Sequence, residues 1–112
     1  MDWNQIEKTN EYLKERMPQV LKSDLVRIVM YGSCARGDYN AESDMDIVLF
    51  TKCNRIEAKK YDDMLMDIVT DIAMDMGVIV QYICIPVREF EEKKAWYGYF
   101  KNIEKEGKVI YG

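Results

Sequence analysis

Apolar positions along the chain follow two rhythms. From Asn4 to about Leu21, the residues Ile6, Tyr12, Leu13, Met17 and Val20 recur at near-helical spacing with Glu and Lys between them, which predicts an amphipathic helix with a bend at Pro18. Leu25 to Tyr31 is almost continuously apolar, broken only by Arg27 and stopped by Gly32, and reads as a strand covered on both faces. Ile47-Val48-Leu49-Phe50 repeats that character. Between Ile56 and Asp75 the rhythm turns helical again: Tyr61, Leu65, Ile68 and Ile72 share one stripe, while Lys59, Lys60, Asp62, Asp63, Asp67 and Asp71 fill the rest. Gly77 ends this long helix. Val78 to Ile85 predicts a third buried strand with Gln81 as its one strongly polar residue, Pro86 closes it, and a helical tail runs to Gly107.

The predicted order of helix, strand, loop, strand, helix, strand, helix defines the fold class as α/β, a small mixed β-sheet with packed helices. The long helix between the second and third strands is the connection that a parallel pairing needs. With 112 residues and no internal repeat, low-complexity stretch or linker, residues 1–112 are expected to form one domain around one core.

Composition narrows the chemistry. Sixteen basic against 20 acidic residues give a net charge of −4, which argues against duplex nucleic acid as the main partner. The absence of histidine removes Ser-His and Cys-His nucleophile pairs, histidine zinc sites and the usual near-neutral proton shuttle. Cys34, Cys53 and Cys84 are odd in number and widely spaced, forming neither a metal knuckle nor a disulfide framework, so a reducing compartment is expected. No apolar run approaches the roughly 20 residues of a membrane span, and a cytoplasmic location follows as the expectation.

The informative stretch is Gly32-Ser33-Cys34-Ala35-Arg36-Gly37-Asp38, followed by Ser43-Asp44-Met45-Asp46 running into a strand. Gly32 allows a sharp bend and a close approach, so the amides of Gly32, Ser33 and Cys34 can face phosphate oxygens if a short helix begins there. The loop is not a Walker A, because Asp38 and Tyr39 stand where its lysine and hydroxyl residue belong. Asp44 and Asp46, two apart at a strand mouth, point to one face with Cα atoms about 6.8 Å apart. Their hard oxygens suit magnesium that also takes ligands from a nucleotide's phosphates. A Gly-Ser loop alone is most often a turn, and an Ser-Asp-x-Asp run alone a solvated turn with a cap. The ordered combination of strand, Gly-Ser loop, Arg-Gly and paired carboxylates entering a strand is not what turn chemistry predicts.

Gly-Ser-x-Ala-Arg-Gly followed by Ser-Asp-x-Asp-Ile resembles the signature of the minimal nucleotidyltransferases, within the DNA polymerase β nucleotidyltransferase superfamily. The first helix and the ending from Asn102 through Gly107 to Tyr111-Gly112 resemble that family too. The resemblance implies a nucleotidyltransferase-like fold, magnesium as cofactor, ATP as donor, and transfer of AMP to a hydroxyl with release of pyrophosphate. It implies that Gly32 and Ser33 hold the triphosphate, that Asp44 and Asp46 are the catalytic metal ligands, and that Arg36 braces the loop or approaches phosphate. It further implies pairing with a HEPN-domain protein, a tyrosine of which accepts AMP, in a toxin-antitoxin module with this chain as antitoxin. Active members of the superfamily generally carry a third carboxylate on a neighbouring strand, whereas Val78 to Ile85 contains none and offers only Gln81, with Asp75 just before it. A rival reading is therefore a catalytically weak or inactive nucleotide-binding module that acts by binding its partner, and an antibiotic-modifying transferase is a third.

Other residues read as structural. Cys34 is a small filler of the loop, Cys53 and Cys84 pack, and Met64 is expected in the core. Trp96, Tyr97, Tyr99 and Phe100 form an aromatic cluster that either docks the tail on the sheet or presents a contact surface.

Overall fold

The computed structural model describes residues 1–112. Helix α1 (Trp3–Leu21) starts at a capping box: the Asp2 carboxylate accepts from the Gln5 amide at 2.8 Å, and the Gln5 side chain accepts from the Asp2 amide at 2.8 Å. Ile6, Thr9, Leu13, Met17 and Leu21 recur at three- and four-residue spacing and form its buried face. Pro18 lies in the last turn and removes one N–H from the helical ladder, yet the helix continues to Leu21. A 3-10 turn, Lys22–Asp24, leads into β1 (Leu25–Tyr31). The chain then forms α2 (Ser33–Arg36), β2 (Met45–Thr51), α3 (Arg55–Ala58), a second 3-10 turn, α4 (Asp62–Met76), β3 (Val80–Pro86), α5 (Val87–Lys93), α6 (Gly98–Glu106) and β4 (Lys108–Tyr111).

The four strands form one mixed sheet in the order β3-β2-β1-β4. β1 is antiparallel to both β2 and β4, whereas β2 and β3 are parallel, with α4 in the crossover as the sequence predicts. One sheet face, with Ile28, Met30, Ile47 and Leu49, packs on Leu13 and Met17 of α1 and Leu65, Ile68 and Ile72 of α4. The opposite face, with Val29, Val48, Phe50 and Ile85, packs on Phe90 of α5 and Phe100 and Ile103 of α6. A polar tie joins the two helices of the first face, Gln5 donating to the Met76 carbonyl at 2.9 Å, while within α1 the buried Thr9 hydroxyl donates to the Gln5 carbonyl at 2.7 Å.

Four features depart from the sequence expectations. The helix expected from Ile56 to Asp75 is interrupted, because Asn54 caps the short α3 through a capping box with Glu57 and a 3-10 turn at Lys59–Tyr61 redirects the chain before α4. The tail is not one helix, since it breaks between Lys93 and Gly98 and returns as β4 beside β1. The third strand is an edge rather than a buried strand: Val80 and Ile85 are buried, Gln81 is exposed, and Tyr82, Ile83 and Cys84 are half-buried. Met64 is 46% exposed, because the buried stripe of α4 runs through Leu65, Ile68, Val69 and Ile72 and leaves it outside.

The turn from α6 into β4 depends on a missing side chain. A Cβ at Gly107 would lie 2.5 Å from both the Ile103 carbonyl oxygen and Val29 Cγ1, although its backbone angles suit any residue. Gly107→Ala should therefore push β4 from β1 and destabilise the fold by about 1–3 kcal/mol, the usual range for overpacking. Urea unfolding followed by circular dichroism measures this, and an unchanged midpoint would contradict the packing described.

Candidate active site

Topology brings three strand ends together. Because β1 runs antiparallel to β2 and β3 runs parallel to it, the end of β1 meets the beginnings of β2 and β3. Tyr31, Asp46 and Gln81 are consequently direct neighbours across the sheet, Tyr31 pairing with Asp46 and Asp46 with Gln81. Residues paired in this way share a sheet face, here the one that α5 and α6 cover further along the strands.

Between Tyr31 and α2 the backbone turns at Gly32, with φ of 75° and ψ of −155°. This conformation disfavours other residues, and space excludes them as well: a Cβ there would lie 2.8 Å from Asp46 Oδ2. The Gly32 carbonyl accepts from the Ala35 and Arg36 amides at 3.1 and 3.0 Å, forming the single turn of α2. The amides of Ser33 and Cys34, first in that turn, have no partner within it. The returning loop is closed by Asn40 and Ser43: the Ser43 hydroxyl accepts from the Asn40 amide at 2.9 Å, and the Asn40 side chain accepts from the Glu42 amide at 2.8 Å. Asp44 follows, just ahead of β2.

Two carboxylates thus face each other with little counter-charge. Burial, and next the charge of Asp44, raise the Asp46 pKa above its ordinary 3.8, with Arg36 opposing in part. Gln81 Nε2 donates to Asp44 Oδ2 at 2.7 Å, so the polar residue of the third strand stands beside the pair. Arg36 does not reach into the site: its guanidinium donates to Asp38 and to Glu106 of α6, both at 3.1 Å, and so ties the loop to the tail. Cys34 is buried and its thiol pKa is raised by burial and then by Asp46, so the thiol stays protonated. The Tyr31 and Tyr99 hydroxyls are hydrogen-bonded at 2.7 Å. Burial first, then Tyr99, with a smaller contribution from Asp46, pushes the Tyr31 phenol well above its usual range.

The structure therefore brings together Gly32, Ser33, Asp44, Asp46 and Gln81 and sets Arg36 at the rim. Sequence reasoning missed Tyr31, Tyr99 and Glu106 as neighbours of the site. The strand-end position of Tyr31 opposite a future Asp46 was the available signal for the first, whereas Tyr99 and Glu106 arrive through a tail whose return no local pattern announces. Asp75 lies exposed near the end of α4. No group of three or more His, Cys, Asp or Glu side chains is placed to hold a metal. Two mutually repelling carboxylates beside an amide nonetheless fit a hard divalent cation, which would offset a repulsion that the protein itself leaves only partly compensated.

The sequence matches the nucleotidyltransferase domain over residues 6–111, and the chain belongs to that family. Two proteins of Methanocaldococcus jannaschii are similar in sequence. "Putative protein adenylyltransferase MJ0604" is 32% identical over 85 residues, covering 76% of this chain and 77% of the relative. "Putative protein adenylyltransferase MJ0141" is 43% identical over 47 residues, 42% of this chain and 46% of the relative. Two crystal structures share the fold. One, of a toxin-antitoxin with AMP-PNP, has a TM-score of 0.55 at 17% identity and covers 100% of this chain and 74% of its own. The other, of "a putative nucleotidyltransferase from Sulfolobus solfataricus", has a TM-score of 0.52 at 22% identity and covers 97% and 87%.

The raised Asp46 pKa fixes a pH dependence. The folded chain holds this proton more tightly than the unfolded chain, so stability falls as pH rises from the ordinary carboxylate range through the raised value. Asp46→Asn should accordingly unfold at higher urea than the wild type at pH 7, and the gap should close as pH is lowered toward 4. Parallel shifts at both pH values would refute this account of the pair.

Proposed function

We propose that this chain transfers AMP from magnesium-bound ATP to a hydroxyl of a protein partner. The observation that carries this reading is the Gly32 turn seated against Asp46, so that α2 starts at the strand mouth where Asp44 and Asp46 lie. Its support from relatives is the protein adenylyltransferase naming of the two similar archaeal sequences. In this reading residues 1–112 act as one nucleotidyltransferase domain. The Gly32, Ser33 and Cys34 amides receive the triphosphate, and Arg36 keeps the loop in place through Asp38 and Glu106. Asp44 and Asp46 hold magnesium, which when bound neutralises phosphate charge and the charge that develops on the attacking and leaving oxygens. The acceptor oxygen forms a bond to the α-phosphorus, the bond from that phosphorus to the bridging oxygen breaks, and its electron pair leaves with pyrophosphate. The acceptor proton passes to water or to a group of the partner; Asp75 lies on α4, which covers the opposite sheet face.

We assign the acceptor to a tyrosine of a HEPN-domain partner, with this chain as the antitoxin of the pair. The motif resemblance supports it, and a toxin-antitoxin structure shares the fold. The three unpaired cysteines favour the cytoplasm, and no helix is long and apolar enough to cross a membrane. A second reading, a nucleotide-binding module that acts by masking its partner, is favoured by one observation: Gln81, a neutral amide that cannot act as a base, stands on the third strand beside Asp44. Incubation with labelled ATP and a candidate HEPN-domain protein, read by intact mass, separates the two. Gain of AMP on the partner supports transfer, and complex formation without gain supports masking.

Two substitutions test the residue roles. Asp44→Asn combined with Asp46→Asn should abolish magnesium-dependent ATP binding in calorimetry while the circular dichroism spectrum is retained; unchanged affinity would refute the placement. Gln81→Glu adds a carboxylate at the amide's position, lowering stability without metal through repulsion by Asp44. With magnesium it should speed transfer, up to about a hundredfold to ten-thousandfold where proton removal limits the rate. Transfer slower than wild type in Gln81→Glu would show that the amide itself is needed.

A further inference from the structure

The sheet has two edges, and they are treated differently. β4 is four residues long and carries Lys108, features that discourage pairing with another chain. β3 is seven residues long, carries no charged residue, and has proline only at its last position. No strand lies on its outer side, so alternate residues direct their backbone N–H and C=O groups away from β2 with no ladder to enter. Alongside it runs an apolar groove lined by Met66, Val69, Val80, Gln81 and Tyr82. Met66 is 54% exposed, and Ile79, just before the strand, is 53% exposed.

Charge selects what this groove accepts. α4 carries Asp62, Asp63, Asp67, Asp71 and Asp75 and no lysine or arginine, and Asp62 reaches the groove by accepting from the Tyr82 hydroxyl at 3.3 Å. Lys59 and Lys60 precede the helix, and Lys60 is turned to Asp24 at 3.9 Å. A second copy of this chain paired edge to edge would bring two such acidic helices together, which opposes it. The groove is also continuous with the site: Gln81 lines it and donates to Asp44.

We propose that the outer edge of β3 and the Met66 flank of α4 form the docking track for an extended, apolar and basic segment of the acceptor protein. The proposal rests on the protein-acceptor reading above and specifies how that acceptor is presented. A segment added as a strand alternates its side chains. The residue beside Gln81 points to the face of Asp44 and Asp46, where its hydroxyl meets the nucleotide. Its two neighbours point to the other side, into the groove of Met66, Val69 and Tyr82. The recognition pattern is therefore a hydroxyl residue with an apolar residue on either side and basic residues beyond, where the carboxylates of α4 attract them.

The test uses the full chain with magnesium and ATP and two sets of short tyrosine peptides. One set has leucine flanking the tyrosine and lysine or arginine beyond; the other replaces the basic residues by glutamate. Hydrogen exchange should show the β3 amides protected by the basic set and not by the acidic set. Met66→Lys, and separately Asp63→Lys with Asp67→Lys, should weaken basic-peptide binding at least about tenfold, the effect of losing one interface anchor. MgATP affinity should be unchanged in both variants. Protection elsewhere or none overturns the docking track, as does protection of β3 without peptide that tracks self-association in sedimentation, which would make a second copy the occupant. AMP incorporation into the peptides is read separately. Peptide bound on β3 without gain of AMP supports the track and counts against the transfer reading, whereas AMP gained without protection of β3 supports transfer and overturns the track.

Discussion

The approach of the Gly32 backbone to the Asp46 carboxylate is the constraint on which the geometry of the candidate site depends. A side chain at position 32 would collide with Asp46 Oδ2, and the positive φ there is the turn from which α2 starts. Asp46 cannot retreat, because it sits in β2 between Tyr31 and Gln81 in two ladders of opposite sense. The Gly32 turn and Asp46 are thereby kept in contact by main-chain geometry, to which side-chain ties from the tail are added. The repulsion between Asp44 and Asp46 that this arrangement creates is the feature a cation-dependent reaction would use, and it opposes folding when no cation is bound.

The tail supplies what the loop cannot supply itself. Four residues of helix offer little intrinsic stability. Arg36, exposed at the end of α2, is joined to Glu106, while the Tyr31 and Tyr99 hydroxyls join the strand leading into the loop to the start of α6. Phe100 and Ile103, buried against Val29 and Phe50, hold α6 where these contacts require it. The Arg36 pair is exposed and adds little stability on its own, so the packing beneath it positions the brace.

Much of this was legible in the sequence, for identifiable reasons. β1 and the stripe of α4 are strongly periodic, and periodicity reports burial directly. The paired aspartates and the Gly-Ser loop lie within 15 residues of one another along the chain, so their convergence needs only a strand, a turn and a strand. What escaped depends on distant partners. β4 is too short to carry a pattern and is a strand only because β1 has a free side. β3 has the apolar run of a buried strand, but its rank in the sheet decides its exposure, and sequence order does not reveal rank. Met64 differs from its buried neighbour Leu65 by one step around the helix, about 100°, finer than an irregular stripe resolves.

The pairing of Arg36 with Glu106 spans 70 residues. During synthesis the Gly-Ser loop, both aspartates and Gln81 are all made before Glu106, so an emerging chain holds every proposed nucleotide contact without the tie that steadies them. The brace forms only once α6 has folded back over the sheet. Order of synthesis thus separates possession of the site residues from assembly of the site, and a chain arrested between Gln81 and Glu106 would carry the first without the second.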